Sequence, residues 1–483
     1  MEAAHVLVFP VPVQGHINAM LPFAAALLDA GAHVTFLHTD HNLRRVGRAA
    51  SVASSPRLRF LSIPDGLPDD SRRSVGDLGE LDRSLREVGS VRYRALFASL
   101  LSAGSPNRAG ADDEHRFPPL TCVVADGLMP WAIDIAEELG VPALAFRTSS
   151  ACSFLAFMSA PGLFELGDLP FPAGGDLDEP VRGVPGMESF LRRRDLPSSF
   201  RRRGDTDDVD PSLHVVAKAS AHCGKARALV LNTAASLERS ALAHIAPRMR
   251  DLFSIGPLHA MSPALAASCS LWREDDGCLA WLDGQADRSV VYVSLGSFTV
   301  ISREQFKEFL SGIAATGYPF LWVLRPDMVW ASQDGVLHEA AMAAAGDGKA
   351  RIVAWAPQRD VLRHRAVGCF LTHAGWNSTL EAVVEGVPMV CWPFFADQHV
   401  NSRFVGAVWR NGLDMKDVCE RGVVERTVRE AMESDEIRRA AQALAQLVKR
   451  DVAAGGSSAT ELERLVGFIR ELSASKATRG LGQ

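Results

Sequence analysis

Short apolar runs recur along the first half of the chain, at His5–Phe9, His33–Thr39, Arg59–Ile63, Thr121–Ala125, Ala143–Phe146 and Ala228–Asn232. They are continuous rather than alternating, which predicts strands buried on both faces. Between them the period changes: Ile17, Met20, Leu21, Ala24, Leu27 and Leu28 fall on one face at helical spacing. The second half repeats the theme with Val290–Leu295, Phe320–Leu324, Arg351–Trp355, Gly368–Thr372 and Met389–Trp392. Strand–helix alternation predicts an α/β fold of two doubly wound, Rossmann-like domains with parallel sheets, facing each other across a cleft. The halves meet around Ser254 to Pro257. The polar, Ala/Ser-rich stretch from His259 to about Arg273 reads as a linker. The expected division is residues 1–258, 259–455, and a last helix plus tail over 456–483. That helix has apolar positions at Leu462, Leu465, Val466, Ile469 and Leu472, and Ser458 with Glu461 fits a capping box. The tail after Ser473 is polar and reads as fraying.

Two stretches lack periodicity and read as disordered or loop-like, Asn107–Pro119 and Gly167–Asp210. The second carries Arg192–Arg194 and Arg201–Arg203 beside an acidic run. These arginines fit a phosphate site or a solvated loop; the missing apolar scaffold around them favours the loop.

At 483 residues the chain exceeds what one hydrophobic core sustains, which fits two domains. A net charge of −6 leaves no electrostatic footprint for nucleic acid or an anionic membrane. Eight cysteines are scattered without a C-x-x-C pair, the pattern of free thiols in a reducing compartment rather than of a zinc site. Met1–His5 lacks a basic secretory start, and no apolar run reaches membrane-spanning length. A cytoplasmic, monomeric protein is expected.

The segment with the most chemistry runs from Trp355 to Gln398. A strand ending at Thr372 leads through His373, Ala374, Gly375, Trp376, Asn377 and Ser378 into a helix containing Glu381. A strand, a tight glycine turn and a helix start leave first-turn N–H groups and a dipole facing an anion, a phosphate or diphosphate. Asn377 or Ser378 acting as a plain helix cap is the equally weighted alternative. Trp355, at a strand end, can stack a base or serve as core. Glu381 suits ribose hydroxyls or simply favours the helix start. Asp397 and Gln398 suit sugar hydroxyls, or cap a helix.

Asp126 ends an apolar strand, and His16 follows the first strand at a helix start. Both therefore lie at the carboxyl edge of a parallel sheet, where such folds bind ligands. A carboxylate-held imidazole is a general base of fixed tautomer. A lone histidine near a helix start is, on pattern alone, more often structural.

The 44 residues from Trp355 to Gln398 resemble, from the opening Trp-Ala-Pro-Gln to the closing Asp-Gln, the signature box of plant family 1 UDP-glycosyltransferases. The likeness extends over nearly the whole chain and weakens in the two irregular stretches. It implies a GT-B fold. It implies that Trp355 stacks on uracil with Ala356 beside it, that Gln358 and Glu381 hold the ribose, and that His373, Asn377 and Ser378 bind the diphosphate. Trp376, Asp397 and Gln398 would contact the sugar. Ser297, in Val293–Ser297, would face the donor phosphates. His16 and Asp126 fall where the family keeps its His–Asp dyad, and Asn18 and Thr148 fall near it as acceptor or donor contacts. The last helix resembles the one that crosses back onto the N-terminal domain. One departure is Ala374, where the family usually has Cys; both are small, so little consequence is expected.

The resemblance thus implies a UDP-glucose-dependent, inverting transferase acting on a small phenolic or terpenoid acceptor, with UDP-sugar and acceptor as partners. No cofactor and no metal are expected. Asp-x-Asp triplets at 176–178, 205–207 and 208–210 lie in acidic loop sequence, and G-x-G-x-x-G, P-loop and G-x-S-x-G patterns are missing. Two further readings are a nucleotide-sugar-binding protein without turnover, which would not need His16 and Asp126, and a lipid-directed transferase. The latter would need a membrane segment or basic amphipathic helix.

Overall fold

The computed structural model describes residues 3–46, 55–69, 71, 73, 78–103, 117–172, 175–202, 209–262, 271–329, 343 and 348–480, with side chains up to 474. The chain folds as two compact units. The first comprises Met1–Met158, His214–Leu271 and Asp451–Gln483; the second comprises Ser159–Leu213 and Trp272–Arg450.

Among the described residues, the first unit holds a seven-stranded, all-parallel sheet: β1 His5–Phe9, β2 His33–Thr39, β3 Leu58–Ile63, β4 Cys122–Asp126, β5 Ala143–Arg147, β6 Ala228–Leu231 and β7 Leu252–Ser254. The spatial order is β3-β2-β1-β4-β5-β6-β7. Every residue of β1, β4 and β5 is buried, which is why their sequences run apolar without alternation. The helix Gln14–Asp29 buries the stripe Ile17, Met20, Leu21, Ala24, Leu27 and Leu28 in a core shared with Val6, Val8 and Phe146. The last helix, Ser457–Gly480, joins this core through Leu465 and Ile469, and Phe468 packs 5.6 Å from Phe253.

The second unit holds six parallel strands among its described residues, β8 Val290–Ser294, β9 Phe320–Val323, β10 Ala350–Val353, β11 Val367–Thr372, β12 Met389–Cys391 and β13 Gly412–Asp414, ordered β10-β9-β8-β11-β12-β13. Its core is aromatic: Trp322 stacks on Phe306 at 5.4 Å, and Trp392 on Phe309 at 5.0 Å.

Several expectations change. The strand holding Arg351 stops at Val353, so Trp355 lies in the following loop, half-buried. Ser458 does not cap the last helix. It sits inside the first turn and its hydroxyl donates to Gly256 O at 2.6 Å, while Glu461 pairs with Arg464. The Gly167–Asp210 stretch is no solvated loop over its described part. Leu169, Phe171, Val181, Val184, Met187, Leu191, Leu196 and Phe200 are all buried, and a backbone bridge joins Phe171 to Arg201. Arg192, Arg193 and Arg194 pair with Asp195, Glu179 and Asp178 respectively. This arm groups with the second unit, not with the residue 1–258 domain in which its sequence position placed it. Most of Asn107–Pro119, the Asp205–Asp207 triplet, Asp208, Arg203, Cys269 and the middle of the linker lie outside the described residues. The other seven cysteines are free thiols.

Candidate active site

In the first sheet β1 neighbours both β2 and β4, so the chain turns opposite ways from β1 and β4 and opens a crevice at their carboxyl ends. The register pairs Phe9 with Ala125, which brings the segments leaving these two strands side by side. His16 lies in the first turn of the helix after β1, and Asp126 is the last residue of β4. Their side chains meet, with His16 Nδ1 2.5 Å from Asp126 Oδ2. Asp126 is fully buried; its Oδ1 also accepts the Leu128 N–H at 3.0 Å. Burial alone would push this carboxyl up, but the charge and hydrogen bond of His16, the Leu128 amide and Arg147 together hold it below the usual carboxylate range. Thr148 Oγ1 stands 3.1 Å from the same Nδ1. With Nδ1–H donated to Asp126, the basic lone pair of His16 is on Nε2. Asn18 is engaged by Gln14, whose amide donates to its Oδ1 at 2.5 Å.

The second sheet repeats the arrangement where β8 and β11 adjoin, with Ser294 in register with Thr372. Gly296 and Ser297 follow β8; His373 follows β11. The helix Trp376–Glu385 has Gly375 at its N-cap with no side-chain bond, so Asn377 and Ser378 sit inside its first turn rather than at its cap. A helix start of this kind directs its dipole and leading amides toward an anion. Burial first, and then the Arg325 charge, lower the His373 imidazole to about 4, so it is neutral at physiological pH. Its Nδ1 is shut off from solvent, and the Ser294 backbone beside the ring opposes the shift without outweighing burial.

Arg325, just beyond β9, was not singled out by sequence. It is 2 % exposed, donates to the carbonyls of Gly296 and Thr299, the latter at 2.8 Å, and pairs with Asp327 at 3.0 Å. It thereby fixes the Gly296–Thr299 turn. A lone arginine directly after an apolar strand, at the sheet edge next to the switch point, was the available signal.

The remaining expected residues all belong to the second unit. Gln358 Nε2 donates to Glu381 Oε2 at 2.7 Å and to Ser378 Oγ at 2.9 Å, while Tyr292 O–H donates to Gln358 Oε1 at 3.2 Å. Burial pushes the Glu381 carboxyl up, against the Gln358 hydrogen bond and Arg359. Trp355 stacks on Trp272 at 5.7 Å, and Ala356 behind it is buried. The Trp376 indole is buried and packs 6.4 Å from Trp409. Asp397 precedes the helix Gln398–Arg403 and accepts from Asn401 Nδ2 at 3.0 Å. Gln398 Oε1 accepts the N–H groups of Phe394 at 2.8 Å and Phe395 at 3.1 Å. Ala374 is fully buried with φ +61°, and its carbonyl accepts from Asn401 at 2.9 Å. A small side chain is what that position admits.

Among the described residues, no cluster of three or more His, Cys, Asp or Glu side chains is placed to hold a metal ion. None of their helices is long and apolar enough to cross a membrane.

Two doubly wound units, each with a polar cluster at its switch point, define the GT-B class of glycosyltransferase. The sequence model of the family described as UDP-glucoronosyl and UDP-glucosyl transferase matches residues 245–451. The chain is 43% identical to myricetin 3-O-rhamnoside 1,2-glucosyltransferase of Crocosmia x crocosmiiflora, over 97% of this chain and 96% of that one. It is 42% identical to the 7-deoxyloganetic acid glucosyltransferase of Catharanthus roseus, over 97% and 98%. Among solved structures, Os79 from O. sativa in complex with UDP superposes with a TM-score of 0.76 at 28% identity, covering 96% of this chain and 100% of that one. The chain belongs to the plant family 1 UDP-glycosyltransferases, and it is an enzyme of that family.

Proposed function

We propose that this enzyme moves glucose from UDP-glucose to a hydroxyl of a small lipophilic acceptor, a phenolic or a terpenoid alcohol, with inversion to a β-glucoside. The observation that carries this reading is the fully buried Asp126 carboxylate 2.5 Å from His16 Nδ1, at the carboxyl edge of the first sheet. A protein that merely held a nucleotide sugar would have no use for it.

His16 Nε2 takes the proton of the acceptor hydroxyl as the oxygen attacks the anomeric carbon, and the bond to UDP breaks. Asp126, held ionised, fixes the imidazole and balances the imidazolium charge. Trp355 and Ala356 seat the uracil, and Gln358 and Glu381, already paired, hold the ribose. The diphosphate takes the first-turn amides of Trp376–Ser378, with Ser297, Asn377, Ser378 and a neutral His373. Asp397 and Gln398 read the sugar hydroxyls, with Trp376 closing that side. Charge building on UDP is met by preorganised amides without a metal or cofactor. The acceptor class follows the relatives, whose names give a flavonol rhamnoside and an iridoid acid as acceptors.

The test is a panel of plant phenols and terpenoid alcohols incubated with UDP-glucose, with products detected by mass and the anomeric coupling constant read by proton NMR at early times. A β-glucoside is expected. An initial α-glucoside removes His16 from its role. UDP-sugar binding without product from any acceptor of the panel overturns the proposed acceptor class.

A further inference from the structure

The helix Gln398–Arg403 continues without a break into a π-helical turn, Phe404–Val408. Its far end is tied down by a buried ionic cluster. Lys416 Nζ donates to the His399 carbonyl at 3.1 Å and pairs with Asp414 at 2.8 Å and Asp195 at 2.9 Å. Ser402 Oγ donates to Asp414 Oδ1 at 2.5 Å. Arg403 Nε donates to the Phe190 carbonyl at 2.9 Å and stands 3.3 Å from Asp195 Oδ2. Asp195 has no exposed surface and also receives the Arg192 backbone N–H at 2.8 Å and its guanidinium at 3.0 and 3.1 Å. One carboxylate, carried by the arm Ser159–Leu213, thus gathers the cations that grip the helix bearing Gln398.

We propose that Asp195 is a positioning residue for recognition of the donor sugar: through Lys416 and Arg403 it sets the seat of the helix Gln398–Arg403, and so the aim of Gln398 and Asp397. The proposal rests on the reading of Gln398 as a sugar contact. Burial would raise the Asp195 carboxyl, but Lys416 and Arg192 outweigh this and keep it below the ordinary range, so the clamp is charged at neutral pH. Removing one partner of such a cluster strands the opposite charges in a buried place, and they must rearrange. The rearrangement falls on the helix Gln398–Arg403. Trp355, Gln358 and Glu381 lie on other elements, the loop after β10 and the helices Gln358–Arg363 and Trp376–Glu385. Loss of Asp195 therefore separates sugar recognition from UDP recognition.

The experiment is isothermal titration of the full chain, without acceptor, using UDP, UDP-glucose and UDP-galactose, in wild type, Asp195→Asn and Gln398→Ala. Asp195→Asn is expected to keep UDP affinity within about twofold while its glucose-over-galactose preference falls about tenfold, the scale of one misaimed hydrogen bond in a built site. A variant that weakens UDP and UDP-glucose alike, or neither, overturns the proposal. If Gln398→Ala loses the preference and Asp195→Asn keeps it, the proposal falls and the sugar assignment stands. If Gln398→Ala keeps the preference, the sugar assignment falls and the proposal with it. Should Asp195→Asn not yield folded protein, Arg403→Gln, at the more exposed edge of the cluster, gives the same readout with an expected loss of about threefold; an unchanged preference there counts against the proposal.

Discussion

Gly296 lies so close to His373 that a Cβ built on it would sit 2.5 Å from the ring Nε2. Gly375 presses on the same nitrogen from the other end of the turn. The imidazole is wedged between two backbones that tolerate no side chain, and Gly296 also has φ +75°, where an L-residue is strained. Gly296→Ala or Gly375→Ala should therefore push the ring aside while leaving the sheet intact. We expect UDP affinity to fall by about tenfold or more, with an unchanged circular dichroism spectrum; titration calorimetry checks it. Affinity within error of wild type in both variants would remove His373 from the donor site.

His16→Ala should leave UDP-glucose binding intact and cost about 10²–10⁴ in the rate of transfer to alcohol acceptors. Asp126→Asn should fall in the same range, because an amide at 2.5 Å can force the imidazole into the other tautomer. Single-turnover measurements at saturating donor separate this from binding. Acidic phenols, which arrive nearly ionised, should be less affected.

Activity should survive complete chelation, since the proposed anion contacts are amides, hydroxyls and a neutral imidazole. Turnover abolished by EDTA and restored by Mg²⁺ or Mn²⁺ would contradict it.

Acid should destabilise the fold through its buried neutral histidines. Burial lowers His38 to about 4, and burial together with Arg59 does the same to His5, so both stay uncharged in the fold while the unfolded chain titrates near 6.5. A lowered folded pKa means the unfolded state takes up more protons as pH falls. The contribution is fully present above about 6.5 and is lost on descent to about 4. At pH 5 the loss is about 2 kcal/mol for each such histidine. Both ring nitrogens of His38 are buried without partners, and its neighbours are Phe36 at 5.0 Å and Phe60 at 5.7 Å. His38→Phe should raise the thermal midpoint, and by more at pH 5 than at pH 7. Equal shifts at the two pH values would refute the protonation account.

The sheets were legible because a strand buried on both faces must be apolar throughout, and most of the strands satisfy that, as in β1, β4 and β5. The misses were β7 and β13, three residues each, which are edge strands too short to show a period. His16 and Asp126 could be placed at one sheet edge from sequence; that they touch depends on which strands are neighbours, and no local pattern encodes strand order. The arm Ser159–Leu213 was misread for a different reason. Its apolar anchors from Leu169 to Phe200 follow neither a helical nor a strand period, and its arginines looked solvated because their carboxylate partners, Asp178, Glu179 and Asp195, meet them at no regular spacing. Arg325 escaped notice because its buried partners are mainly backbone carbonyls, which leave no trace in a sequence.

The arm also bears on how relatives can be recombined. The backbone passes between the two units at residues 158/159, 213/214, 271/272 and 450/451, so neither unit is one continuous stretch of chain. A hybrid joined at a single point near residue 258 would inherit an Asp195 from one parent and the Lys416 and Arg403 that embrace it from the other. Exchange of 159–213 together with 272–450 keeps that set of charges from a single ancestor, and hybrids cut at those four crossings should fold where single-junction hybrids of divergent parents fail.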